Sequence, residues 1–354
     1  MEMTNFRGIM KVAMSVLVVG FMASCASRNK NTTTADKSQV VVGFYNVENL
    51  FDTFNDPNTL DDDFTPEGKL AWNTERYKKK LGSLTKVIQT IAPNEGPAVL
   101  GLCEIENKSV LVDLCDSLDE RGRKYSIVHK DSPDERGIDV AFLYDESVYT
   151  LSGSEWIPVI LNDPDDPNTR DILHVWGNFG NEEVHFYVNH WPSRGGGQVE
   201  SEPHRMNAAE KLRQSIDSQL AKNPDIRVVC MGDFNDYPSD KSISTVLNAG
   251  VDVQSEKALY NMMSAMDQLG LGSYNYRGDW GTLDQFIIST SLLKNGAVST
   301  SIDSAFIVKE EWMLFTKDDK SQVPSKTYAG EKYTGGYSDH LPIGLKLTLG
   351  RMSK

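Results

Sequence analysis

The polar residues of this sequence that could do chemistry keep to one kind of place, directly beside apolar, strand-like runs. Asn46 follows the run 40–45, and Glu104 follows 98–103. His190 follows 184–188, Asp233 and Asn235 in Gly-Asp-Phe-Asn follow 227–231, and Asp339-His340 precede 341–347. Short loops at strand ends are where packed sheets place their sites. The residue types are those of cation-assisted hydrolysis. Glu104 offers a carboxylate and Asn46 a neutral amide oxygen, a set that suits Mg²⁺ held with several waters; Mn²⁺ or Ca²⁺ fit the same oxygens. Thiolate or multi-histidine zinc spacings are absent from the sequence. His340 titrates near neutral pH and can take a proton from water when a carboxylate steadies it. Arg170 and Arg194 are of the type that grips phosphate in two-pronged fashion. Asp139 is a partner for one of them, and Gly195-Gly196-Gly197 reads as a mobile loop beside the site. His129, His174, His185 and His204 carry no motif and read as structural.

These positions need strands and helices to hold them. Residues 40–45, 98–103, 125–129, 138–144, 172–179, 184–188, 227–231, 283–288, 305–308 and 341–347 read as strands. Leu81, Leu84, Val87, Ile88 and Ile91 have helical spacing within 76–91, with Pro93 just beyond. Helices are also expected over 109–118 and 203–220. Helices mixed with many short strands indicate an α/β (α+β) chain of packed sheets, not one parallel sheet.

The 36 basic and 50 acidic residues give a net charge of −14, which argues against broad neutralisation of a nucleic-acid backbone. With 4 cysteines in 354 residues, a disulfide-stapled scaffold is excluded. Cys103 and Cys230 end apolar runs and are expected as buried free thiols. Arg7 and Lys11 bracket the start of a short apolar stretch that closes on Ala23-Ser24-Cys25. That pattern resembles a lipoprotein signal with Cys25 as the lipidated residue; an ordinary secretory signal cut nearby is the other reading. Residues 1–24 are then the signal peptide, 25–38 a tether and 39–350 a single folded domain. The expected protein is exported and lipid-anchored at the cell envelope, monomeric, with no protein partner implied.

The polar set resembles the endonuclease/exonuclease/phosphatase superfamily, the fold of deoxyribonuclease I. The matching pieces are Asn46 in YNVEN, Glu104 in CEIEN, His190 in NHWPSR, Asp233 and Asn235 in GDFND, Asp284 in GTLDQF, and Asp339-His340 in YSDH. They run in the family's order over about residues 40 to 348. The resemblance implies a four-layer α/β/β/α sandwich and metal-dependent hydrolysis of a phosphate ester. It adds Asp339 to Asn46 and Glu104 as a cation ligand and puts Asp284 behind His340. Asp233 orients or deprotonates the attacking water, Asn235 holds a phosphoryl oxygen, and His190 bonds the phosphate or assists the leaving oxygen. A phosphodiester, in nucleic acid or in a small or lipid molecule, is the expected substrate. A phosphomonoesterase and a catalytically silent binding lipoprotein are the alternatives.

Overall fold

The computed structural model describes residues 38–120, 122–161, 168–251 and 259–350; Cys25 and almost the whole tether lie outside them. Two seven-stranded sheets form the body. The first contains β1 (Ser38–Leu50), β2 (Val99–Ile105), β3 (Ser126–His129) and β4 (Asp139–Tyr144). The second takes β5 (Thr150–Ile157), β6 (Ile172–Phe179), β7 (Glu182–His190), β8 (Arg227–Asp233), β9 (Ala249–Gly250) and β10 (Leu259–Asn261). After a small hairpin of β11 (Tyr274–Tyr276) and β12 (Asp279–Gly281), β13 (Asp284–Ser289) completes the second sheet. The chain then returns to the first sheet with β14 (Val298–Ser299) and β15 (Ala305–Ile307). Two further hairpins follow, β16 (Leu314–Thr316) with β17 (Gln322–Pro324) and β18 (Tyr328–Ala329) with β19 (Lys332–Tyr333), before β20 (Ile343–Leu349). The first sheet runs β14-β20-β1-β2-β4-β3 with β15 also on β20; the second runs β5-β6-β7-β8-β13-β10-β9.

Strand alternation explains why the sheets pack face to face. Val40, Val42 and Phe44 of β1, Val229 and Met231 of β8, and Phe286 and Ile288 of β13 point into one inter-sheet core. Their neighbours face outward: Tyr45 and Val47 meet α1 (Thr74–Ile91) and α2 (Lys108–Asp119), while Val228, Cys230 and Ile287 meet α3 (Gln198–Lys222). Both faces of these strands are therefore buried, which is why they read as continuous apolar runs. Gly101 leaves room for the Met231 side chain, which a Cβ there would approach to 2.9 Å and force to shift. Asn73 and Asn107 cap α1 and α2, each accepting two backbone N–H groups. Cys103, Cys115 and Cys230 are buried free thiols. No helix of the described residues is long and apolar enough to cross a membrane.

The differences from the sequence reading have local causes. β5 is an edge strand without a fully buried residue, so it lacks the apolar pattern that marks the others. α3 starts at Gln198 instead of 203, with Pro203 inside it. Gly197, at φ 132, is its N-cap, so the triple glycine leads into the helix.

Phe186 is fully buried and packs on Phe142, Tyr149 and Phe179 between the sheets. Phe186→Ala is expected to lower stability by about 3–5 kcal/mol. Urea titration measures it, and a loss below about 1 kcal/mol would mean the aromatic cluster does not hold the sheets together.

Candidate active site

Register brings the second sheet's functional residues together. His190 at the end of β7 pairs with Asp233 at the end of β8, and Asp233 pairs with Asp284 at the start of β13. The three stand abreast at one end of adjacent interior strands. Gly232 permits this approach, since a Cβ there would meet the Asn189 carbonyl oxygen at 2.3 Å. The first sheet contributes Asn46 from β1 and Glu104 from β2, where the pairing slips past a bulge. Glu104 has φ 64, Glu48 and Asn49 have φ 52, and Asn235 has φ 51. Left-handed backbone costs a glutamate about 1–2 kcal/mol, so its concentration here marks a place where aiming side chains outweighs backbone comfort.

The two sheets meet through Asn46. Its amide nitrogen donates to Glu104 Oε1 and to Asp233 Oδ2, both at 3.1 Å, while its oxygen accepts the Glu48 N–H at 3.0 Å. Glu104 Oε2 accepts the Asn49 N–H at 2.9 Å. His340 Nδ1 lies 2.7 Å from Asp284 Oδ2, and its Nε2 lies 3.7 Å from Asp233 Oδ2. The Asp284 oxygen that meets His340 also accepts the Ser273 hydroxyl. Ser338 ties the histidine's loop down, donating to the Asn46 carbonyl and accepting the His340 N–H. Tyr274 covers the imidazole, ring centroids 4.7 Å apart.

These neighbours set the charges. Burial alone would discharge His340, yet Asp284, Asp233 and Asp339 raise its pKa well above the usual imidazole value, which favours the imidazolium. Burial pushes Asp233 up to about 7, with Asp284 and Glu104 adding to the rise and the His340 charge opposing it. Asp339 is also raised, first by burial and then by Glu48 against His340, Lys326 and Lys80. His190 goes the other way: burial and the charges of Arg170, Arg136 and His340 drive its pKa well below 6.5. A neutral His190 can give a hydrogen bond but has no extra proton for a leaving oxygen.

Several expectations are corrected by contacts. Arg170 spends Nε on the His190 carbonyl, Nη1 on Asp134 and Nη2 on the Trp191 carbonyl, and is itself buried. It fastens the His190 loop instead of facing a phosphate. Arg194 bonds the Asn235 carbonyl, Asp236 and Asp240, and bears on the Tyr237 ring. It braces the Asp233–Asp240 loop in the same way. Asp139 pairs with His129 at 3.2 Å, not with an arginine; the arginine's partner is Asp134. Asn235 donates through Nδ2 to the Trp191 carbonyl, and its backbone N–H donates to Asp233 Oδ1. The sequence reading missed Ser273 and Lys80 and gave Ser338, within YSDH, no role of its own. Ser273 carries no spacing signal, and Lys80 sits in a run of three lysines that looks like a solvated face.

The profile of the Endonuclease/Exonuclease/phosphatase family matches residues 41–349. The chain belongs to that family. Phosphate-ester hydrolysis is the chemistry the family's name describes. Among solved structures, the fold is similar to an endonuclease/exonuclease/phosphatase family protein from Bacteroides thetaiotaomicron, with TM-score 0.52 and 16% identity over 89% of this chain and 99% of that one. A truncated TDP2 from Caenorhabditis elegans gives 0.51 and 16%, covering 88% and 98%. A mannosyl-6-phosphatase from Bacteroides thetaiotaomicron gives 0.50 and 15%, covering 87% and 99%. At these identities the likeness speaks for the fold. A search of curated proteins finds no match.

A divalent cation fits this family site. The side chains that meet there offer carboxylate oxygens from Glu104 and Asp233 and one carboxamide from Asn46, the oxygen-rich set a hard cation takes. Glu104 and Asn46 would hold the ion, with Asp339 on the side of Glu48 and Lys80. Asn46 now turns its nitrogen to the carboxylates, so offering its oxygen requires a half-turn of the carboxamide.

The charge on His340 has a pH signature. Its folded pKa stands above the unfolded value of about 6.5, so its contribution to stability is complete below that pH and is lost as pH climbs through the folded value. Metal-free protein is expected to lose stability over that rise, and His340→Gln is expected to flatten the decline. Denaturation midpoints with the same alkaline slope in both proteins would show that Asp284 does not hold an imidazolium.

Proposed function

We propose that the protein hydrolyses phosphodiesters with a bound divalent cation, Mg²⁺ first. The observation that carries this reading is the meeting of Asn46, Glu104, Asp233 and the Asp284–His340 pair at one end of the sandwich, in a site richer in buried carboxylates than in cations. When bound, the cation supplies Lewis-acid charge to a phosphoryl oxygen. A monoester dianion calls for more positive charge than a diester monoanion. Arg170 and Arg194 are engaged elsewhere, which leaves His340 as the cationic side chain beside Asp233 and supports a diester.

The charge states divide the labour. His340, already protonated and aligned by Asp284, steadies negative charge as it grows on the phosphoryl oxygens. Asp233, with a pKa near 7, is the group that takes the proton from the attacking water. That moves the base from His340, where residue type alone placed it. His190, neutral, donates a hydrogen bond, and Asn235 retains its amide oxygen for orienting water. The net charge of −14 supports small or lipid diesters over long duplex nucleic acid.

A substrate panel with Mg²⁺, Mn²⁺, Ca²⁺ or EDTA tests the reading, using plasmid DNA, single-stranded DNA, RNA, an aryl phosphodiester, phosphomonoesters and sphingomyelin. EDTA is expected to abolish turnover, and Glu104→Ala to cost more than Asn46→Ala because it removes the charged ligand. Undiminished turnover in chelator would end the cation reading. Monoester turnover exceeding diester turnover would make the protein a phosphomonoesterase. For location we propose a lipid anchor at Cys25: Cys25→Ser should move the protein from the membrane to the soluble fraction, and unchanged membrane association refutes the anchor.

A further inference from the structure

Lys80 is the middle of a paradox in α1. Lys78 and Lys79 are exposed, as a lysine run on a helix should be, but Lys80 falls on the apolar face with Tyr77, Leu81 and Leu84 and is 2% exposed. Burying an ammonium is costly unless it is fully hydrogen-bonded and paired. Lys80 Nζ donates to the Thr327 hydroxyl at 2.6 Å and to the Tyr337 carbonyl at 2.7 Å, and lies 3.6 Å from Glu48 Oε2. That Glu48 oxygen in turn accepts the Thr327 N–H at 2.6 Å. A single ammonium thus connects three parts of the chain: α1, the bulged end of β1 just after Asn46, and the segment that leads into Asp339 and His340. Burial lowers the Lys80 pKa, and the charges of Glu48, Asp339 and Glu104 oppose that by favouring the ammonium.

A purely structural tie at this position would not need a charge. Two hydrogen bonds to neutral oxygens can be made by an amide, and an apolar side chain of similar volume often serves as well as a buried ion pair. What an amide cannot supply is a fixed positive charge beneath a cluster of carboxylates. Such a charge lets Glu48, Asp339 and Glu104 coexist at close quarters, and it also repels any cation that the cluster attracts.

We propose that Lys80 is a positioning residue that sets the divalent-cation affinity of the active site, holding the bulged end of β1 (Asn46–Asn49) and the Asp339–His340 segment together while weakening cation binding by its charge. The inference rests on the cation reading of the proposed function. It predicts opposite signs for binding and turnover: without the charge the carboxylates attract a cation more strongly, but the loops that aim them are less well held.

The test is titration calorimetry of Mn²⁺ into the metal-free full chain, together with turnover of an aryl phosphodiester. Lys80→Gln keeps a donor for Thr327 and Tyr337 and remains informative where Lys80→Met does not fold. Both variants are expected to bind Mn²⁺ about three- to tenfold more tightly than wild type, while kcat falls about tenfold in Lys80→Met, which loses both hydrogen bonds, and by less in Lys80→Gln, which keeps a donor for them. Lys80→Arg, which keeps the charge, should retain the wild-type Mn²⁺ affinity. Unchanged or weaker Mn²⁺ binding in Lys80→Gln would overturn the proposal, leaving Lys80 a structural tie. A wild-type chain that binds no Mn²⁺ would instead refute the cation reading itself, and this inference with it.

Discussion

Carboxylates repel one another, and the repulsion grows when they leave water. Glu104, Asp233 and Asp284 nevertheless stand together at one end of the sandwich, with Glu48 and Asp339 close by. Much of the local structure is intelligible as the means of keeping them there. His340 lies between Asp284 and Asp233 as an imidazolium, Asn46 donates to two carboxylates with one amide, and Lys80 brings a buried ammonium up against Glu48. Burial first, and then the neighbouring carboxylates, raise the pKa values of Asp233 and Asp339, with His340 opposing the rise.

The sheets make the concentration geometrically possible. Adjacent strands in register place His190, Asp233 and Asp284 side by side without any loop having to reach. The opposite sheet brings Asn46 and Glu104, and a bulge with left-handed backbone at Glu104 turns its carboxylate toward the amide. The close-packed core between the sheets fixes their separation, and so the distance between the two halves of the site. Arginines that look like substrate ligands are instead spent on this architecture: Arg170 holds the His190 loop and Arg194 the loop after Asp233. Using the long, multiply bonding cations as braces leaves the cleft with little permanent positive charge. A bound metal ion is then the natural source of it.

Much was legible in the sequence itself. Apolar runs buried on both faces announced the central strands, helical spacing announced α1 and α2, and the family's motifs announced the sandwich. The identity of the chemistry-bearing residues was also local information, because Asn46, Glu104, Asp233 and His340 stand in short motifs beside strands. Tertiary structure alone decided their charges and partners. Whether His340 is a base or an imidazolium depends on Asp284, 56 residues away, and whether Asn46 meets Asp233 depends on strands 187 residues apart. Arg170, Arg194 and Lys80 looked like ordinary cations until burial and their partners were known. Local patterns report which face of an element is apolar; they carry no record of which charges meet across space, and in a buried site those meetings set the protonation states on which the chemistry runs.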